Sequence, residues 1–309
     1  MGGRRRPGSE ALVLTADQLA ARAPLLGSSD APPVLGLPAY GRTSADVWAR
    51  ITGRVLAGAS RDTNETRSGR RLEGVVLDWA EERLGLTLVR DVMLRAPELP
   101  GDARRAANLD GWVPPSGPGG APILVEAKSS ADDDGWGQDG TDEVPDYVTA
   151  QTAHQALVCR AATGLLPDRI YVALILGRRG FDWRLYNLPV LPALISAVEA
   201  KEREWWRSYV ETDTCPPEGP SLETIAVWRR MPGKLAEVAP DLVAAYREAA
   251  DRASEAEKAK DAAKKTLLIA VGDAELFEAP GWRGSYETVE RPEHVVKASS
   301  SRVLRVTAK

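Results

Sequence analysis

The segment Asn108-Leu-Asp-Gly-Trp-Val113, a short Pro/Gly-rich turn, and then Pro122-Ile-Leu-Val-Glu-Ala-Lys128 hold the residue types of a divalent-metal phosphodiesterase site. Both runs read as strands. Side chains alternate faces along a strand, so Glu126 and Lys128 project together while Ala127 turns the other way, and the Ala127 carbonyl is left free to act as a ligand. If residues 114–120 close a hairpin, Asp110 comes back beside Glu126. The result is two hard oxygen ligands with an ammonium at their side, the chemistry of a metal ion that activates water against a phosphodiester. A surface hairpin with an ordinary Glu/Lys alternation would show the same E-x-K, so the rest of the chain must decide.

A second constellation follows the acidic, Gly-rich stretch Ala131–Glu143. Pro145 suits the first turn of a helix reaching Thr163. On it Tyr147, Gln151, His154 and Gln155 fall at i, i+4, i+7 and i+8, a polar stripe on one face. Such a stripe faces either a phosphate or solvent. Glu73 sits among Leu72, Val76 and Leu77 in a helix read from Gly69 to Leu84, which would carry a carboxylate at a core edge toward the metal.

Composition narrows the chemistry. A chain of 309 residues with 43% hydrophobic and 27% charged residues can bury a substantial core. Two cysteines, Cys159 and Cys215, cannot build a Cys-rich zinc site or a four-cysteine iron–sulfur cluster, and two histidines, His154 and His294, argue against the His-dense metallophosphoesterases and favour carboxylate chemistry. A net charge of -4 counts against a protein that coats nucleic acid nonspecifically, though not against a basic channel in an acidic exterior. No run has the length of a membrane span and the Met1–Pro7 start lacks a signal-peptide core, so the expectation is a cytoplasmic protein of a bacterial host cell with no membrane partner.

These residues need elements to position them. Residues 15–53 read as helical, with Ser28-Ser29-Asp30 as N-cap chemistry and a Thr43/Asp46 capping box opening a helix that stops at Gly53. Residues 54–68 read as a polar loop. Strands follow around 86–95, 107–113 and 122–129, then a hairpin of 169–177 and 181–187, a helix at about 190–210, and a Pro216–Pro220 linker. Residues 240–271 read as a long Ala-, Lys- and Glu-rich helix, and 277–306 as a small β element.

The chain resembles the YqaJ-like viral recombinases, phage exonucleases of the lambda type within the PD-(D/E)XK superfamily. Four blocks carry the likeness: Arg22–Leu37 with Asp46-Val-Trp48; Gly69-Arg-Arg-Leu-Glu73; Asn108-Leu-Asp-Gly111 with Glu126-Ala-Lys128; and Trp136-Gly137 through Glu143-Val-Pro-Asp-Tyr147 to Gln151. Leu109 stands where proline is common, Ser129-Ser130 follow the lysine where cysteine or threonine and proline are frequent, and Pro100 stands ten residues before Asp110 where a further aspartate occurs. The resemblance implies an α/β restriction-endonuclease-like core with a mixed central sheet flanked by helices, at 15–212, and a C-terminal helical and β extension at 221–309.

It further implies that Asp110, Glu126 and the Ala127 carbonyl bind Mg2+ or Mn2+, that Glu73 supports that site, that Lys128 orients or deprotonates the attacking water, and that Gln151 positions the lysine or the phosphate. Arg22 and Ser29 match the pair that takes a terminal 5′-phosphate, with Tyr147 as a further DNA contact. The implied function is Mg2+-dependent 5′ to 3′ digestion of double-stranded DNA ends, leaving a 3′ overhang for a single-strand annealing recombinase, by a homo-oligomer with a trimeric ring as its suggested form. An endonuclease with the same site and a non-catalytic DNA-end-binding scaffold are the alternatives.

Overall fold

The three apolar-alternating runs become β1 (Val89–Arg95), β2 (Ala106–Val113) and β3 (Ile123–Ser130) in the computed structural model, which describes residues 24–37, 39, 41–55, 64–117, 120–177 and 181–288. They are preceded by α1 (Ala31–Val34), entered through a 3-10 turn at Ser28–Asp30, by α2 (Ser44–Ile51) and by α3 (Asn64–Leu84). After them come α4 (Asp146–Thr163), the hairpin of β4 (Arg169–Leu176) and β5 (Asp182–Leu188), and α5 (Pro192–Trp205), which runs on into a π-helical turn at Trp206–Val210. Arg178–Gly180, read as the hairpin turn, lies outside the described residues.

The sheet is mixed, in the order β1-β2-β3-β4-β5, with β3–β4 the parallel pair and the other neighbours antiparallel. A parallel pair needs a crossover, and α4 supplies it. β4 is buried on both faces, so its sequence Ile170-Tyr-Val-Ala-Leu-Ile-Leu176 reads as a nearly continuous apolar run. One face packs Val125, Ala173 and Ile175 against Val76, Leu77 and Ala80 of α3. The other packs Leu124, Val172 and Leu174 against Val148, Ala156 and Leu157 of α4. The core is thus a mixed five-stranded sheet flanked by helices, as expected.

Two expectations shift. α3 begins at Asn64, not at Gly69, so the loop read at 54–68 is shorter. Gly69 is therefore interior to the helix, where a Cβ would meet Ser129 Oγ of β3 at an ordinary 3.8 Å. Packing against the sheet overrides the glycine penalty. The Pro216–Pro220 stretch also stays with the unit that holds the sheet, which runs to Arg230. Asp46 caps α2 by accepting the Thr43 N–H, and its other oxygen accepts the Ser221 N–H and hydroxyl at 2.7 and 3.0 Å. Ser44 donates to Glu218, Thr43 to the Gly219 carbonyl, and the Arg229 N–H to the Arg54 carbonyl. Trp48, Trp205, Trp206 and Trp228 gather beneath this strap. Its last piece is the short α6 (Leu222–Ala226), capped by Ser221.

The second unit begins at Met231. It holds α7 (Pro240–Val271), a 32-residue helix with no buried residue, and a hairpin of β6 (Leu276–Ala279) and β7 (Trp282–Ser285). Residues 289–309 lie outside the described residues. Among the described residues no helix is long and apolar enough to cross a membrane.

Candidate active site

The β2–β3 ladder ends at the Gly111–Val125 pair, and the two strands part just where Asp110 and Glu126 follow. Across the gap the Ala127 N–H donates to Asp110 Oδ2 at 2.9 Å, a side chain standing in for the lost ladder bond. In an extended strand the N–H and C=O of one residue point the same way. The Ala127 carbonyl therefore aims into the same cleft, beside Asp110. Gly111 is required here, since a Cβ on it would meet Leu88 Cδ1 at 2.9 Å and Val125 Cβ at 3.0 Å.

Glu126, 3% exposed, turns toward α4 and spends both oxygens. Oε1 accepts from Lys128 Nζ and Gln151 Nε2, each at 2.6 Å, and Oε2 accepts from Gln155 Nε2 at 2.5 Å. Gln151 Oε1 in turn accepts from Lys128 Nζ at 3.0 Å, so this amide bridges the carboxylate and the ammonium. On the polar stripe of α4, Gln151 and Gln155 thus form a buried face that orients Glu126. Its other polar member departs from that role. His154 is fully buried and turned away, its Nδ1 2.7 Å from Glu202 Oε1 and its Nε2 3.1 Å from the Ala106 carbonyl oxygen. Tyr147 packs partly buried against the core.

The cleft is negative. Burial, then the charges of Glu126 and Glu73, push the Asp110 carboxyl well above the usual carboxylate range, against the opposing pull of Lys128 and the Ala127 N–H. Burial also raises Glu73 on α3, with Asp91 and Glu126 adding to the rise and Lys128 opposing it. Asp91 is a residue that sequence reasoning missed. It lies on β1 where the register sets it across from Asp110, between the Arg90–Gly111 and Val92–Leu109 pairs. Its φ of 54° is left-handed, which interrupts the ladder at that point. The visible signal was a lone acid inside a strand otherwise led by Val89, Val92 and Leu94, too common to single out.

This donor set suits a divalent cation. Three mutually repelling carboxylates with one ammonium leave a charge deficit that a cation relieves. Among the described residues no three His, Cys, Asp or Glu side chains are already gathered as a metal cluster. Mg2+, however, is usually held by one or two carboxylates with waters and substrate oxygens completing the shell. Asp110, Glu126 and the Ala127 carbonyl are the groups that would hold such an ion, with Glu126 giving up an amide partner to it.

The proposed phosphate pair is only half visible. Ser29 is exposed on the 3-10 turn, above Asp30, which is held by Arg42 at 2.8 Å and Arg50 at 2.6 Å. Arg22 lies outside the described residues.

Residues 17–165 match the family described as the YqaJ-like viral recombinase domain. The chain carries a YqaJ-like domain. Its matched span holds every described residue of the cluster, from Glu73 to Gln155, and stops just past α4. Among solved structures, LHK-Exo in complex with dAMP is 18% identical, covering 64% of this chain and 94% of that one with a TM-score of 0.49. The alkaline exonuclease LHK-Exo from Laribacter hongkongensis is also matched at 15% identity, with the same coverages and a TM-score of 0.42. A phage related exonuclease from Haemophilus somnus is 11% identical, covering 63% and 99%, with a TM-score of 0.39. No curated protein matches the sequence.

Proposed function

We propose that the YqaJ-like domain is a divalent-metal-dependent exonuclease that digests double-stranded DNA from its ends. The observation that carries this reading is the cleft between β2 and β3, where Asp110, Glu126 and Lys128 converge inside a domain of this family. A bound Mg2+ or Mn2+ would supply positive charge to the scissile phosphate and lower the pKa of a water molecule. The chain's own groups do the positioning. Glu126 and Gln151 hold Lys128 Nζ from two sides; as an ammonium it would orient the attacking water by donating to it, and as the neutral amine, having first lost a proton, it would accept the water's proton. Gln155 locks the second Glu126 oxygen, and Glu73 adds negative charge on the α3 side.

The finer reading is 5′ to 3′ polarity, with Arg22 and Ser29 taking the 5′-phosphate and the 3′ overhang passing to a single-strand annealing protein. A homo-oligomer, a trimeric ring in the form the family resemblance suggests, would keep a chain of net charge -4 attached to the duplex by topology where nonspecific attraction is weak. One experiment tests the core of this. Linear duplexes with and without 5′-phosphates are compared with closed circular plasmid, in Mg2+ and in EDTA. Linear DNA should be consumed only with the metal and faster when phosphorylated. Cleavage of the closed circle would favour an endonuclease, and activity in EDTA would remove the metal from the mechanism.

A further inference from the structure

His154 sits on α4 between the two glutamines that hold Glu126, three residues after Gln151 and one before Gln155, yet it faces elsewhere. Its ring is fully buried between Glu202 of α5 and the Ala106 carbonyl at the start of β2, the strand that carries Asp110. Both ring nitrogens thus stand within hydrogen-bond distance of a buried oxygen. Glu202 is itself fully buried, and its other oxygen accepts from Arg105 Nε at 2.6 Å. Arg105, 4% exposed, reaches on to Asp102 at 3.0 Å and to the Glu199 carbonyl at 3.2 Å. Three elements, α4, α5 and the head of β2, meet at one carboxylate.

Such a cluster is a poor way to gain stability, because the desolvation of buried charges rivals their attraction and an apolar cluster of similar volume often holds a fold equally well. What an apolar contact does not supply is register. α4 packs on the sheet's core through Val148, Ala156, Leu157 and Val158, non-directional apolar contacts that do not by themselves fix the helix along its axis. A slip of one residue moves each side chain by about 1.5 Å along the axis, enough to break contacts that stand at 2.5 and 2.6 Å. Resting on the nuclease reading of this site, we propose that His154 is a positioning residue: clamped between Glu202 and Ala106, it fixes α4 against β2 so that Gln151 and Gln155 hold Glu126 in place beside Asp110.

The test separates register from stability in the full-length protein. The apolar triple variant His154→Leu, Glu202→Met, Arg105→Met should melt no lower than wild type, while its turnover on duplex ends falls by about 10²-fold, the loss expected of an ångström-scale misplacement. KM should stay within about twofold, since the site still binds DNA. A second readout needs neither metal nor activity: the side-chain amide NMR signals of Gln151 and Gln155, assigned by their alanine variants, should shift toward those of free glutamine. If the triple variant does not fold, His154→Gln, which leaves the Arg105–Glu202 pair intact, is read the same way. Amide signals at their wild-type positions, or undiminished turnover in a folded variant, would overturn the proposal. An inactive wild-type protein whose amide signals nevertheless move in the variant would fault the nuclease reading and uphold the positioning role.

Discussion

Replacing Asp110 by asparagine should make the metal-free protein more stable while destroying its activity. Asparagine keeps an oxygen to accept the Ala127 N–H, so the bond that bridges β2 and β3 survives. What disappears is a charge held against burial and against Glu126 and Glu73. Two like charges about 6 Å apart in a medium of effective dielectric ~20 repel by about 3 kcal/mol. The attraction of Lys128 and partial solvent access reduce the net relief to about 1–2 kcal/mol, a typical return when a functional site is relaxed. A unit of this size gains about 2–4 °C per kcal/mol, so the midpoint should rise by about 2–8 °C. Eight of the nine tryptophans precede Met231, so thermal melts followed by tryptophan fluorescence in EDTA report the right unit. Added Mn2+ should raise the wild-type midpoint and leave Asp110→Asn unmoved. A variant that melts at or below wild type in EDTA would refute the idea that the carboxylates are in mutual conflict.

Lys128→Ala should lower single-turnover cleavage by roughly 10²- to 10⁴-fold while Mn2+ affinity, measured by calorimetry, largely survives; equal loss of metal binding would reassign the lysine. Gly111→Ala should cost about 1–3 kcal/mol through overpacking against Leu88 and Val125, read as a lower urea midpoint, with turnover falling because the neighbouring Asp110 is displaced. Arg22→Ala should slow digestion of 5′-phosphorylated ends far more than of 5′-hydroxyl ends in gel assays; an equal effect on both would leave it a general DNA contact.

The strands that carry the site were legible because their apolar alternation and turn residues are local. The runs at 107–113 and 122–129 became β2 and β3 almost unaltered, and the capping box at Thr43 and Asp46 formed as read. The long helix read at 240–271 from its Ala-, Lys- and Glu-rich composition has those bounds as well. What escaped depends on partners distant in sequence. His154 is polar, and nothing near it announces that Glu202, 48 residues on, would bury it. Gln155 belonged to a stripe read as facing either a phosphate or solvent, and nothing local says that it turns to Glu126 at 2.5 Å. Asp91 matters through a backbone conformation that its sequence does not encode in any local motif. The strap over α2 is hidden for the same reason, because a Pro/Gly-rich stretch reads as a linker whether or not its polar groups find partners.

That strap has a consequence for how the protein is made. Asp46 meets Ser221 across 175 residues of chain, which at about 5–20 residues per second amounts to roughly 9–35 s of synthesis. Through most of that interval Trp48 lacks Trp205 and Trp206, and through all of it Trp228, the aromatic neighbours it is destined to bury against. Contacts of such long sequence separation form late and leave apolar surface open meanwhile. The nascent protein is therefore most exposed to aggregation, and most dependent on chaperones, during the stretch of translation that ends when Arg230 leaves the ribosome.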